Sequence, residues 1–212
     1  MSTLCYLKKL YKQRSIDCVL CGGLATTFLC AACAGSLPRP KARQLALIKH
    51  VAVLYPYCYP LTSVIQQMKY RGEFGLARNF GMLLGEQCAT QWPSTAQLVP
   101  VPSGRVRLLT RGFNQAFEIA LGIQRISQAP IENTMLRRRS RRPRQSTLSR
   151  QARLANARNL YYVKSNLDEG HRTPLVLVDD VTTTGASLCA AARVLKDAGF
   201  SEIYAACVAS AD

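Results

Sequence analysis

The sequence predicts an α/β fold, a mostly parallel sheet flanked by helices, behind a small N-terminal cysteine module. Three observations carry that prediction. Residues 175–178, Leu-Val-Leu-Val, make a continuous apolar run after Pro174, as a central parallel strand buried on both faces requires. Runs rich in β-branched and aromatic residues alternate with segments of helical periodicity, the pattern of strands joined by helical crossovers. Cys18, Cys21, Cys30 and Cys33 form two Cys-x2-Cys pairs ahead of all of this.

In chain order, residues 1–14 place Leu4, Leu7, Leu10 and Tyr11 at helical spacing, with Lys8, Lys9 and Lys12 elsewhere on the same short helix. Leu37-Pro38-Arg39-Pro40 reads as a linker, because proline restricts the residue before it and cannot extend a helix. It divides the chain into a module over residues 1–40 and a main domain over residues 41–212. Residues 51–57 are a strand by composition. Leu61, Val64, Ile65 and Met68 recur at three and four, so residues 61–69 are helical, and residues 74–88 form a second helix. Residues 97–101 are a strand that ends in Pro100-Val101-Pro102-Ser103, and a helix follows over about residues 113–125. Residues 133–136 and 160–163 are short strands on either side of an arginine-rich segment. The run at 175–178 leads into a helix over residues 186–198, closed by Gly199. Residues 203–208 are a last buried strand.

The chain of 212 residues can bury a substantial core, and its 48% hydrophobic and 19% charged content is that of a globular protein. No apolar run approaches the roughly 18 to 20 residues that span a bilayer. The N-terminus lacks the uninterrupted apolar stretch of an export signal, so a cytoplasmic location is expected. Lys and Arg number 28 against 12 Asp and Glu, a net charge of +16, which favours polyanionic partners: nucleic acid, phosphorylated metabolites or an anionic membrane face. Residues 137–158 hold nine Arg and no acidic residue, so over half of the net charge sits in one segment.

Nine cysteines without an export signal argue against a disulfide framework. The two close Cys-x2-Cys pairs supply four thiolates, the set that tetrahedral zinc takes in closed structural sites. Redox chemistry would need only one such pair. Cys5, Cys58, Cys88, Cys189 and Cys207 read as ordinary scattered thiols. His50 and His171 fall outside every motif and read as solvated loop residues.

The chemistry concentrates at residues 175–187, LVLVDDVTTTGAS. The strand delivers Asp179 and Asp180 to its C-terminal end, where open α/β sheets bind ligands. Two adjacent carboxylates there accept hydrogen bonds from vicinal hydroxyls or attract a cation. Thr182, Thr183, Thr184, Gly185, Ala186 and Ser187 then lead into a helix, and small residues let the backbone wrap an anion at the helix N-terminus. A diol end and a phosphate end thus lie about one ribose apart. The alternative is a strand, turn and capped helix whose polar residues only satisfy backbone donors. Neither GxxxxGK[ST] nor GxGxxG occurs, which excludes the common nucleotide loops.

LVLVDDVTTTGAS resembles the phosphoribosyl pyrophosphate motif of type I phosphoribosyltransferases. With the cysteine pairs, MKYRGEF, VPVPSGRVRLLTRGFNQA and RQSTLSRQARLAN in that order, nearly the whole chain resembles the ComF/GntX family of competence-associated proteins, a zinc module fused to a phosphoribosyltransferase-like domain. The resemblance implies that Asp179 and Asp180 contact the ribose hydroxyls and that Thr182, Thr183, Thr184, Gly185, Ala186 and Ser187 cradle the 5-phosphate. It implies a pyrophosphate loop at Val101, Pro102 and Ser103, supported by Arg111 and Lys69, Mg²⁺ on the pyrophosphate, and a hood over residues 144–156. It implies zinc on Cys18, Cys21, Cys30 and Cys33.

Arg137, Arg138, Arg139, Arg141, Arg142 and Arg144 read as a phosphate-tracking arm for single-stranded DNA, with Tyr161 or Tyr162 as stacking platforms. A basic loop closing over a phosphorylated substrate is the other reading. Two function classes are therefore expected in competition. One is a phosphoribosyltransferase of unknown acceptor acting on DNA uptake or utilisation in natural transformation. The other is a non-catalytic nucleic-acid-binding adaptor on the same fold, in contact with other uptake or recombination proteins and peripherally with the membrane.

Overall fold

The computed structural model describes residues 16–70, 74–104, 108–110, 112–139, 160–164 and 173–211. The helix expected over residues 1–14, Cys5, Arg111, Arg141, Arg142, Arg144, His171 and the expected hood over residues 144–156 lie outside these. The cysteine module contains the antiparallel pair β1 (Ile16–Asp17) and β2 (Leu24–Ala25), then α1 (Ala31–Ser36). After the linker come β3 (Val51–Pro56), α2 (Leu61–Tyr70), α3 (Phe74–Cys88), β4 (Gln97–Pro100) and α4 (Gln115–Ser127). The ribbon β5 (Leu136–Arg138) and β6 (Tyr161–Val163) follows, then β7 (Leu175–Thr182), α5 (Ala186–Asp197) and β8 (Ile203–Ser210).

The main sheet is parallel throughout, in the order β3-β8-β7-β4. Both interior positions go to the most apolar strands, β7 and β8, because only they can be covered on two faces. Leu175, Val176, Leu177 and Val178 are all fully buried. Alternation along the strands splits the core in two. Val176, Val178, Leu98 and Ala206 face Leu61, Ile65, Phe80 and Ile119 of α2, α3 and α4. Leu175, Leu177, Val99 and Cys207 face Leu188, Ala191 and Leu195 of α5 with Leu136 and Tyr161 of the ribbon. Each fully buried large side chain contributes on the order of 1.5–3 kcal/mol, so the sheet is the framework to which everything else is fixed.

The helices α3 and α4 pack backbone to backbone. A Cβ at Gly81 would run into the carbonyl of Ile119, and one at Gly122 into the carbonyl of Arg78. The cysteine module does not stand apart. Cys18, Phe28, Leu29 and Leu37 join the same core cluster as Phe80 and Leu84, and the Phe28 ring meets that of Phe80 edge-on with centroids 4.8 Å apart.

Most element boundaries agree with the sequence reading, and three shift. The central strand runs four residues past Val178, because Asp179, Val181 and Thr182 keep their pairing with Cys207, Ala209 and Ser210 of β8. The strand expected over residues 133–136 instead covers Leu136–Arg138, where Arg137 and Arg138 pair with Tyr162 and Tyr161. The helix expected from residue 113 begins at Gln115, because Asn114 caps it, its side chain accepting from the Ala116 N–H.

Candidate functional site

Parallel strands place all their C-terminal ends at one edge of the sheet. Two adjacent loops there form the candidate site: residues 101–104 after β4 and residues 183–185 after β7. An open cleft with about 350 Å³ of empty space adjoins the first of them, lined by Val101, Pro102, Ser103, Asn114, Arg138, Tyr161, Asp179, Asp180 and Ser187, among others. A second, of about 260 Å³, follows the loop from Asp179 through Thr182, Thr183, Thr184, Gly185 and Ala186 to Ser187. The two share Asp179 and Ser187 in their linings, so they adjoin along one trough edge.

Strand alternation explains how the two carboxylates diverge. Asp180 follows Val176 and Val178 to the α2 side, where its Oδ2 lies 3.1 Å from Lys69 Nζ. Its Oδ1 accepts from the Val181 N–H at 2.6 Å. Asp179 follows Leu175 and Leu177 to the side of α5 and the ribbon, and its Oδ1 accepts from the Asp180 N–H at 2.9 Å. Burial first, and the charge of Asp180 second, push the Asp179 carboxyl up to about 8, against the pull of the Asp180 N–H and the Lys69 ammonium. Lys69, expected to support the pyrophosphate loop, thus stands in an ion pair with Asp180 at the same strand end.

The loop after β7 leads directly into the N-terminus of α5. Gly185 caps α5 with φ +74 and no side chain, so the helix begins without a capping group of its own. One of its free donors, the Ala186 N–H, is taken up by Thr184 Oγ1 at 3.3 Å. The Thr182 hydroxyl is buried with no hydrogen-bond partner among the described residues. A helix N-terminus in this state favours a negative ligand through its exposed N–H groups and its dipole.

Two features hold this site that the sequence did not reveal. Arg43, just past the linker, donates from Nη1 to Ser210 Oγ and the Ala211 carbonyl, both at 2.7 Å, and from Nη2 to the Thr183 carbonyl. This turns the Thr183 carbonyl toward the guanidinium. Asn114 ties the other loop down: its Oδ1 accepts from Ser103 Oγ at 2.9 Å and its Nδ2 donates to the Val101 carbonyl at 3.2 Å. The signal for Asn114 was its place before a helix; for Arg43, 140 residues from Thr183 in sequence, there was none.

Gly185 offers a sharp test of the loop's construction. A Cβ there would strike Leu45 Cδ2 in addition to straining a left-handed backbone. Gly185→Ala is expected to lower stability by about 1–3 kcal/mol in denaturant melts. Gly75→Ala, on α3 with nothing within 4 Å of its Cβ, should be neutral or stabilising by up to about 1 kcal/mol. Equal melts for the two variants would contradict the packing described.

The four module cysteines converge as their spacing suggested, with all four sulfurs within 4.8 Å of one another. The N–H groups of Gly23, Cys30 and Cys33 donate to the sulfurs of Cys21, Cys18 and Cys30, each at 3.4 Å. Burial opposes ionisation of Cys18, yet the N–H groups of Cys30, Cys21 and Leu20 bring its thiol down to about 6. Cys33 is pushed up to about 12, first by hydrogen bonding to the Cys30 and Cys21 sulfurs, then by burial and the charge of Cys18. Four thiolates at this range cannot all ionise unless a cation sits among them, so the group can hold a metal ion.

Of the arginine run, the described residues include Arg137, Arg138 and Arg139. The Arg139 guanidinium lies 5.1 Å from the ring centroid of the exposed Tyr162. Tyr161 is 2% exposed, which removes it as a stacking platform; its place opposite Arg138 turns it inward onto the core. His50 is exposed and meets the Gln91 side chain at 2.7 Å. Among the described residues no helix is long and apolar enough to cross a membrane.

Residues 108–212 match the phosphoribosyl transferase domain family. Competence protein F of Haemophilus influenzae is 28% identical over 77% of this chain and 71% of its own length. Competence protein ComFC of Bacillus subtilis is 28% identical over 92% of this chain and 79% of its own. DNA utilization protein YhgH of Escherichia coli is 25% identical over 90% of this chain and 82% of its own.

Proposed function

Since the chain belongs to the competence protein F family and carries a phosphoribosyl transferase domain over residues 108–212, we propose that it binds phosphoribosyl pyrophosphate with Mg²⁺ in the trough after β4 and β7, and handles single-stranded DNA. The observation that carries this reading is the pairing of two unlike features along one strand, loop and helix. Asp179 and Asp180 suit a vicinal diol, while residues 182–187 suit a phosphate, and the shared cavity lining joins them. The ribose hydroxyls would face the carboxylates, the 5-phosphate the N-terminus of α5, and the pyrophosphate the turn at residues 101–104.

No side chain here has to act as a nucleophile. Departure of pyrophosphate from the sugar C1 leaves positive charge on the ring, so these residues contribute by fixing geometry and by surrounding the reacting centre with fixed charge. Asp180 would stand as an anion on the side that gains positive charge, with the protonated Asp179 carboxyl beside it. The acidic pair and polar turn fit a magnesium-bound ligand, and the ion supplies neutralisation of the departing pyrophosphate oxygens.

The metal of the cysteine module is proposed to be zinc. A tetrahedron with metal–sulfur distances of about 2.3 Å has edges of about 3.8 Å, and Cys21 and Cys30 stand 3.9 Å apart. Arg137, Arg139 and Tyr162 are proposed to meet the DNA, phosphates on the guanidiniums and a base on the exposed ring.

Pyrophosphate release, followed with phosphoribosyl pyrophosphate and Mg²⁺ in the presence and absence of single-stranded DNA, tests the reading. Release that rises with DNA is the result expected of a transferase acting on it. Tight binding of both ligands with no release would establish the adaptor instead, and binding of neither would end the proposal.

A further inference from the structure

The ribbon β5–β6 divides the described part of the arginine run, Arg137, Arg138 and Arg139, between two surfaces. Side chains alternate faces along a strand, and here Leu136 and Tyr161 are buried while Arg137, Arg139 and Tyr162 are exposed. Arg138 falls on the inner face with Leu136. Its guanidinium lies 5.8 Å from the Tyr161 ring centroid and borders the cavity that holds Ser103, Asp179 and Ser187. A Cβ on Gly104 would find Arg138 Nε at 3.6 Å and Cζ at 3.7 Å. Among the described residues no hydrogen bond or ion pair takes up this guanidinium.

We propose that Arg138 is the anion clamp of the turn at residues 101–104, binding the pyrophosphate end of the ligand, and is not part of the nucleic-acid surface. The inference rests on the sugar-phosphate reading above and names a ligand for one end of that site. The chemistry follows from the placement. A half-buried guanidinium held against an aromatic face presents a fixed fork of donors, which matches the oxygens of a phosphate in bidentate fashion. Gly104, lacking a side chain, leaves the space between that fork and the turn open. Asp179 and Asp180 line the same cavity, so a magnesium-bearing pyrophosphate there would meet both acid and the guanidinium. Because the strand alternates, Arg137 and Arg139 cannot reach this cavity without breaking the ribbon. One basic run therefore serves two ligands through its two faces.

The test compares wild type, Arg138→Gln, Arg138→Lys and the double variant Arg137→Gln/Arg139→Gln as full-length protein. Three probes are titrated: Mg²⁺ with phosphoribosyl pyrophosphate, Mg²⁺ with inorganic pyrophosphate, and a fluorescent oligothymidylate. Arg138→Gln is expected to weaken both pyrophosphate-bearing probes by about 10- to 100-fold, as loss of charge-assisted hydrogen bonds does, with the oligothymidylate affinity changed less than about twofold. Arg138→Lys should fall between, keeping the charge and losing the fork, and it decides the matter should the Gln variant melt early. The outer double variant should show the converse pattern. Equal affinity of wild type and both Arg138 variants for the pyrophosphate probes would overturn the inference while leaving the sugar-phosphate site standing. Wild type that binds pyrophosphate but not phosphoribosyl pyrophosphate would overturn the sugar-phosphate reading, and the pyrophosphate titrations would still decide for or against Arg138. Oligothymidylate binding lost in Arg138→Gln with pyrophosphate binding intact would return Arg138 to the DNA face.

Discussion

Exchanging Asp179 and Asp180 together for Asn is expected to weaken phosphoribosyl pyrophosphate binding by about 100-fold or more. A hydrogen bond from a ribose hydroxyl to the charged Asp180 contributes on the order of 1.5–3 kcal/mol and one to the neutral Asp179 carboxyl about 0.5–1.5 kcal/mol, and both are lost. The fold should survive, because both residues lie past the fully buried stretch of β7. Stability should in fact improve at alkaline pH. The Asp179 carboxyl is raised to about 8 in the folded chain, against about 4 in the unfolded one. Between those values the native state holds a proton that the unfolded state has released, so wild-type stability falls as pH rises through that window. Asn at position 179 cannot ionise. The single variant Asp179→Asn should therefore melt like wild type near pH 4 and increasingly above it toward pH 8. Parallel melting curves across that range would show that the carboxyl is not raised.

Replacing Cys18 and Cys30 together by Ser is expected to destabilise the whole chain and not the module alone. Loss of the proposed zinc would remove the folding free energy that a structural site supplies. It also withdraws Phe28, Leu29 and Leu37 from the core they share with Phe80 and Leu84. Phe28→Ala, which leaves the sulfurs in place, should cost about 3–5 kcal/mol on its own. Removal of zinc by a chelator should lower the melting temperature as the cysteine variant does, and readdition should restore it. Zinc absent from purified protein, with all four thiols open to alkylation in the native state, would refute the metal assignment.

These outcomes bear on how much the sequence disclosed. The order of strands and helices was legible because the apolar periods are clear: Leu61, Val64, Ile65 and Met68 mark α2, and the run at 175–178 marks the sheet centre. The convergence of the four cysteines was legible because it depends on residues close in sequence, and so was the place of residues 179–187 between a strand and a helix start. What stayed hidden depends on pairing across long separations. Asp179 to Thr182 looked like loop, since polar residues carry no strand signal, yet β8 pairs with them through Cys207, Ala209 and Ser210. The arginine run looked like one continuous arm, and only its register against Tyr161 and Tyr162 shows that it has two faces. Gly81 and Gly122 showed nothing of the contact between α3 and α4, and Arg43 showed nothing of its hold on the Thr183 carbonyl.

On the proposed function, one trough takes the sugar phosphate in one orientation. A crystal structure of the intact protein grown with Mg²⁺ and phosphoribosyl pyrophosphate tests it most directly. The account predicts the 5-phosphate on the N–H groups of residues 183–187, the ribose hydroxyls on Asp179 and Asp180, and the pyrophosphate at residues 101–104. Ligand density lying elsewhere, or reversed so that the pyrophosphate occupies the N-terminus of α5, would contradict it.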